Sequence, residues 1–383
     1  MTEDRPEDPH LRTLEVYQRR ADDWIDRRSA TTDAVVEFTR WLDREGIGAR
    51  PGRVVDLGCG PGWHLPLLRT AAVALDGTAA MLERVAEMAP ASPRVRADLR
   101  ALPFARGSLD AAWAERSLVH LRRAAVPMAL WDLHRALRVG AKVHLGLFEG
   151  ELEHGQIDGD DVPGRWFSAW PEPLLRAVLG GAGFRLDLLG RHSVGDVDEL
   201  QVWATRERTL ADTVGPGMRL LLVGLNPSLV ASDAGVGFHR PGNRAWPALA
   251  AAGLATVDRD PVHLLRAHRI GMTDLVKRAS PRADEITATE YLAGMDRLDA
   301  LCSWLSPDAV CIVGLAGWRA AVDRRATTGV QQRRLGGRPV YLMPNPSGVN
   351  AHIDVGGLAE HFAAAARLAD AHGVPPDSPG APP

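Results

Sequence analysis

The sequence predicts two α/β domains in tandem, each a doubly wound parallel sheet with helices on both faces. Three observations carry this. Short apolar runs alternate with helix-length amphipathic segments along the chain. The alternation stops once, over the polar stretch RERTLADTVGPG, and then restarts. The length of 383 residues suits two cores, and an apolar content of 45% can fill both.

Taken in order, residues about 10–45 read as helix, with Leu14, Tyr17, Trp24, Val35, Phe38 and Leu42 on one apolar stripe. RVVDLG (53–58), AAVALD (71–76), SLDAAWA (108–114), AKVHLGLF (141–148) and LQVWATR (200–206) read as strands. They define a first domain over 1–205, and 206–217 reads as a linker. In the second half, MRLLLVGL (218–225), RIGMTDLV (269–276), DAVCIVGL (308–315) and PVYLMP (339–344) read as four short strands. Helices are expected at about 243–252, 284–305 and 355–371, giving a second domain over 218–374. The remainder, PPDSPGAPP (375–383), is Pro-rich and expected to be a disordered tail.

Composition excludes several classes. The three cysteines, Cys59, Cys302 and Cys311, are too scattered for a disulfide framework or a structural zinc site, and no metal is expected. No apolar run reaches membrane-spanning length, and MTEDRPEDPH does not resemble a secretory signal. A cytoplasmic protein with no membrane partner is therefore expected. Residues 218–374 carry 17 Lys and Arg against 14 Asp and Glu, while 1–217 carry 28 against 33. A mildly positive second half is compatible with nucleic acid but is no decisive basic patch.

In the first half, VVDLGCGPG places Asp56, Gly58, Gly60 and Gly62 at a strand end. Glycines there let backbone turn sharply and approach a ligand closely. The spacing is not the dinucleotide Gly-x-Gly-x-x-Gly, because Trp63 stands at its last position. Asp76 ends the next strand, where a carboxylate can meet ribose hydroxyls, and Asp98 precedes a Leu-Pro-Phe turn. This set resembles the class I S-adenosylmethionine-dependent methyltransferases over residues 15–205, a Rossmann-like fold. The resemblance implies S-adenosylmethionine as cofactor, with Asp56 in the strand-end motif, Gly58, Gly60 and Gly62 around the amino acid moiety, Asp76 on the ribose and Asp98 on the adenine. Glu115 and His120 fall near the expected acceptor position. No Asn/Asp-Pro-Pro-aromatic loop and no Pro-Cys nucleophile is present, so the acceptor, a small molecule or RNA, is left open.

In the second half, Asn-Pro-Ser occurs twice, each time after a strand-like run: Asn226-Pro227-Ser228 and Asn345-Pro346-Ser347. Pro227 biases Asn226 to extended backbone. An amide side chain offers an acceptor and a donor but no titratable proton. It can hold a water, which attacks effectively only a centre already carrying positive charge, such as an oxocarbenium-like sugar. Phe238 lies in a glycine-rich loop and can stack on a planar ligand. A Pro-stiffened loop with a small apolar tip, NPSGVNA (345–351), can wedge into a duplex. Flipping a nucleotide costs least at a mismatch.

GLNPS, GFHRPGNRAW, IGMTDLVKRASPRADEI, PDAVCIVG and MPNPSG together, in collinear order over about 218–370, resemble the mismatch-specific uracil/thymine-DNA glycosylases. The resemblance implies a uracil-DNA-glycosylase-like fold with a short parallel sheet. Asn226 would position the water, and Leu225 and Phe238 would hold the base. Asn345, Pro346, Ser347, Gly348, Val349, Asn350 and Ala351 would penetrate the duplex. No cofactor is implied for this domain, and its partner is double-stranded DNA containing uracil or mismatches. Ser228, Ala245 and Ala351 depart from the family pattern. Iron–sulfur relatives need four cysteines, and this half has two. The sequence thus points to a bifunctional enzyme, a glycosylase and a methyltransferase. The alternative is a methyltransferase carrying a non-catalytic DNA-binding module.

Overall fold

A computed structural model describes residues 8–29, 31–47, 53–68, 71–153, 160–194, 197–348, 350 and 352–373. The expected tail (375–383) and the wedge residues Val349 and Ala351 lie outside the described residues. The chain divides into two compact units between Glu207 and Arg208, with Gly180–Gly183 falling in the second. The fold class is the expected one, α/β with two parallel-rich sheets.

The first unit holds β1 (Val54–Leu57), β2 (Val73–Asp76), β3 (Arg94–Arg96), β4 (Leu109–Glu115), β5 (Leu137–Glu149), β6 (Ala169–Trp170), β7 (Phe184–Val194) and β8 (Val197–Arg206). Their order is β3-β2-β1-β4-β5-β8-β7, with β6 beside β5. Strands β1 to β5 run parallel, whereas β8 is antiparallel to both β5 and β7. The helices are α1 (Pro9–Asp26), α2 (Asp33–Arg44), α3 (Ala79–Met88), α4 (Val126–Ala136) and α5 (Glu172–Gly181). The predicted single stripe over 10–45 splits by destination. Val35, Phe38 and Leu42 of α2 are buried in the core with Trp113, while Leu14, Tyr17 and Trp24 of α1 line a cavity. Helix α1 starts on an Asp8 cap that accepts from His10 N–H, with proline in the first turn. The order reverses at β1, between β2 and β4, which is where open α/β sheets bind ligands.

The second unit holds β9 (Leu220–Gly224), β10 (Ile270–Asp274), β11 (Ala309–Val313), β12 (Gly329–Val330) and β13 (Val340–Met343). Their order is β10-β9-β11-β13-β12; the first four are mutually parallel, and β12 is an antiparallel edge beyond the four strands expected. The helices are α6 (Leu229–Ala234), α7 (Ala245–Ala251), α8 (Pro261–His268), α9 (Ala288–Leu305), α10 (Ala316–Ala321) and α11 (Val355–His372). Every residue of β9, β11 and β13 is buried, as continuous apolar runs covered on both faces require. Helix α9 begins at Ala288 on a Thr287–Glu290 capping box.

The expected linker needs correction. Thr213 pairs antiparallel with Met272, each N–H bonded to the other's carbonyl at 2.9 Å. Asp212 is buried and takes Lys277 at 2.6 Å, Thr273 at 2.6 Å and Arg297 at 2.8 Å. Residues 208–217 are thus an integral part of the second unit. Their polar side chains gave the appearance of a linker because polarity alone does not distinguish solvated residues from buried, paired ones.

Candidate functional site

In the first unit, a cavity of about 650 Å³ opens at the carboxyl ends of β1, β2 and β4. Gly58, Gly60, Asp76 and Asp98 all line it. Gly58 has φ +69°, and a side chain there would collide with Ser117. Gly60 has φ +52° and faces open space apart from Trp24, so its backbone is presented to the cavity. Its N–H donates to Asp76 Oδ2 at 3.1 Å, while Thr78 N and Oγ1 donate to Oδ1 at 2.9 and 2.8 Å. Burial pushes the Asp76 carboxyl up, and these hydrogen bonds only partly offset it.

Two predicted residues do not reach the cavity wall. Asp56 is 1% exposed, and its Oδ2 has no hydrogen-bond partner among the described residues. Burial pushes its carboxyl well up, with the Asp76 and Glu115 carboxylates adding to the effect. Gly62, at φ +91°, instead lets the loop turn against Leu65 and Val85.

Asp98 sits 3.2 Å from His10 Nε2 and accepts from the Arg100 backbone N–H at 2.8 Å and from its guanidinium. Burial raises this carboxyl, but the His10 and Arg100 hydrogen bonds outweigh it and hold it well below the usual range. Across the cavity, Arg165 donates to the Tyr17 hydroxyl at 2.8 Å. The hydroxyl lies 2.9 Å from His120 Nε2, and His120 Nδ1 lies 2.7 Å from the Trp166 carbonyl. A carbonyl can only accept, so Nδ1 carries the proton and Nε2 takes the tyrosine hydrogen. Burial pushes His120 down to about 3. Its lone pair is occupied, which argues against a base role. Glu115 meets His144 at 2.9 Å. Burial raises its carboxyl, but His144 and Arg116 outweigh that and leave it lowered.

In the second unit, the carboxyl ends of four parallel strands gather both Asn-Pro-Ser loops. Asn226, two residues past β9, points its amide nitrogen at Ser280 Oγ (2.9 Å) and the Arg278 carbonyl (3.1 Å). The side-chain oxygen is the atom left for a ligand. Ser228 caps α6 by accepting from Ala231 N–H at 3.2 Å, in ordinary extended backbone. Leu225 is half-buried, and its carbonyl accepts from Val276 N–H at 3.0 Å. Phe238 adopts φ +57°, rare for a bulky residue. Its ring tip lies against Gly224, where an added Cβ would stand 3.5 Å away. Trp246 secures that loop by donating to the Gly237 carbonyl at 2.8 Å.

The second loop is tightly organised. Asn345 Oδ1 accepts from Ser347 N–H at 2.9 Å, and Asn350 Nδ2 donates to the Asn345 carbonyl at 2.9 Å. Pro346 is buried, whereas Asn345 and Gly348 are exposed. A side chain at Gly348 would meet the Gly242 carbonyl oxygen at 2.8 Å.

Residues 55–145 match a family model described as a methyltransferase domain. Residues 211–366 match that of the uracil DNA glycosylase superfamily. The two units thus each match a different family model. Among solved structures, it is similar to an S-adenosylmethionine-dependent methyltransferase from Methanosarcina mazei (15% identity, 43% of this chain and 97% of that one, TM-score 0.38). It is also similar to magnesium protoporphyrin IX methyltransferase from Synechocystis PCC 6803 (16%, 52% and 98%, TM-score 0.41). A third is the 1,6-didemethyltoxoflavin-N1-methyltransferase of Burkholderia thailandensis (20%, 52% and 88%, TM-score 0.39).

Sequence reading missed several residues around the loops of the second unit. Arg244 donates to the carbonyls of Ser347 (2.9 Å), Asn350 (2.6 Å) and Ile353 (2.5 Å), so it clamps the second loop to the start of α7. Ser280 and Arg278 orient Asn226 from a loop 52 to 54 positions away. Asp274 ends β10 directly beside Gly224, with its carboxyl where a Gly224 side chain would be. Burial pushes Asp274 up to about 6, against the opposing pull of Lys277. Only spatial neighbours expose these roles; the sequence signal was limited to Arg244 lying within the GFHRPGNRAW segment.

Proposed function

We propose that the chain is a bifunctional enzyme. Its second domain hydrolyses the N-glycosidic bond of flipped uracil, or of thymine mismatched with guanine, in double-stranded DNA. Its first domain transfers a methyl group to a small molecule or RNA. The observation that carries the glycosylase reading is the orientation of Asn226. Its amide nitrogen is held by Ser280 and Arg278, so its oxygen accepts a hydrogen bond from a water. The Asn226 amide has no titratable proton and cannot act as a strong base, so the C1′–N bond breaks first, and the base leaves as an anion that takes its proton from solvent. Water then adds to the oxocarbenium-like C1′ and releases its surplus proton. Phe238 supplies the stacking face, and the Asn345–Gly348 turn, exposed at Asn345 and Gly348, leads the wedge. Incubating the protein with a G·U duplex and probing for abasic sites with alkali tests this.

The cavity at Gly58, Gly60, Asp76 and Asp98 carries the methyltransferase reading. Its residues fit S-adenosylmethionine: presented glycine backbone for the amino acid part, Asp76 for ribose hydroxyls and Asp98 for an adenine amine. When bound, that cofactor supplies an electrophilic methyl group. The chain's residues orient the acceptor and exclude water, which is most of what alignment-driven transfer needs. Calorimetric titration with S-adenosylmethionine is expected to show binding that Asp76→Ala abolishes; binding unaltered in that variant rules the assignment out.

A further inference from the structure

Outside 319–338, seven of the eleven arginines of the second unit form ion pairs. Arg208 pairs with Asp233, Arg219 with Asp370, Arg278 with Glu290 and Arg282 with Asp284. The stretch 319–338 differs. It holds six arginines and a single acid, Asp323, and among the described residues none of its arginines forms an ion pair. Arg324 and Arg325 are both exposed. Asp323 is engaged locally, its carboxylate accepting from Arg325 N–H at 2.9 Å. Arg319 Nε donates to the Ala326 carbonyl at 2.8 Å, tying this turn to α10.

Topology places the turn. β12 runs antiparallel to β13 with Gly329 opposite Leu342, so the chain entering β12 lies at the carboxyl edge of the sheet. Asn226 and Asn345 lie at that same edge. Gly314, just past β11, approaches Asn345 closely, an added Cβ standing 3.6 Å from Asn345 Cβ, and α10 starts two residues later. Arg333 and Arg334, equally exposed, follow β12 and therefore lie toward the opposite edge.

We propose that the Arg324–Arg325 turn clamps backbone phosphates of the duplex flanking the nucleotide held at Asn226. The inference rests on the DNA-glycosylase reading. A guanidinium fork matches phosphate oxygens bidentately. Each phosphate neutralised releases condensed counterions, which sets the salt dependence of binding.

The test is anisotropy titration of a G·U duplex with the full chain, in the Asn226→Ala background to prevent turnover, between about 50 and 200 mM salt. Arg324→Ala/Arg325→Ala is expected to reduce the slope of log affinity against log salt by about 1 to 2, near 0.9 per lost phosphate contact. Arg324→Lys/Arg325→Lys is expected to keep the slope, and the charge-matched Arg333→Ala/Arg334→Ala is expected to leave it unchanged. Equal slope changes in both alanine doubles, or none in either, overturn the clamp. Failure of the parent to bind the duplex at all overturns the DNA reading beneath it instead.

Discussion

Asn226 is the residue to which the proposed function assigns the glycosidic chemistry, and its orientation follows from hydrogen-bond arithmetic. An amide nitrogen with donors directed at Ser280 Oγ and the Arg278 carbonyl leaves the oxygen facing the ligand side. Ser280→Ala removes the 2.9 Å partner and leaves the amide held only by the Arg278 and Pro227 carbonyls. It is expected to slow abasic-site formation about tenfold in single-turnover assays, while Asn226→Ala is expected to cost about 10²–10³-fold, as for loss of one preorganised polar group. Asp274 gives a pH signature. A carboxyl near 3.8 in the unfolded chain and about 6 when folded means the native state binds more protons between those values. Stability therefore falls as pH rises from about 4 to about 6, and stays lower above. Asp274→Asn removes the burden of burying a carboxylate. At pH 7.5 it is expected to gain stability on the order of 1 kcal/mol, read as a raised Tm, and to gain none at pH 4.

At the scale of elements, Arg244 and Gly348 define the second loop. Three carbonyls converge on one guanidinium, so Arg244→Met leaves them without that donor. Roughly 1–3 kcal/mol of stability is expected to be lost, together with about tenfold in duplex affinity. Gly348→Ala places a methyl against the Gly242 carbonyl; the backbone must shift, and abasic-site formation is expected to fall with little change in Tm. The strands that position these loops were legible because they are buried on both faces and so read as unbroken apolar runs. Strand β7 was not: it is a largely exposed edge, with Leu188 59% exposed, and edges do not need an apolar run. β3 and β12, with three and two residues, are too short to carry a pattern.

For the whole molecule, the pause in alternation near residue 207 marked the boundary, yet residues 208–217 are packed rather than strung between domains. Asp212 shows why: a buried acid paired with Lys277 and Arg297 is indistinguishable in sequence from a solvated one. The glycine loop and its two acids were legible for the same reason the loops of the second domain were, since strand-end glycines and carboxylates recur at fixed offsets from an apolar run. The Tyr17–His120–Arg165 chain joins residues 45 to 148 positions apart and carries no local pattern. If the two activities are separate, Asp76→Ala is expected to lose S-adenosylmethionine binding without slowing strand scission, and Asn226→Ala the reverse.

The most direct measurement is alkali-revealed scission of a G·U duplex by the wild-type chain and by Asn226→Ala. Wild type is expected to generate abasic sites that the variant forms at least about a hundredfold more slowly. No scission with wild type, or equal rates for the two proteins, contradicts the assignment of the chemistry to Asn226.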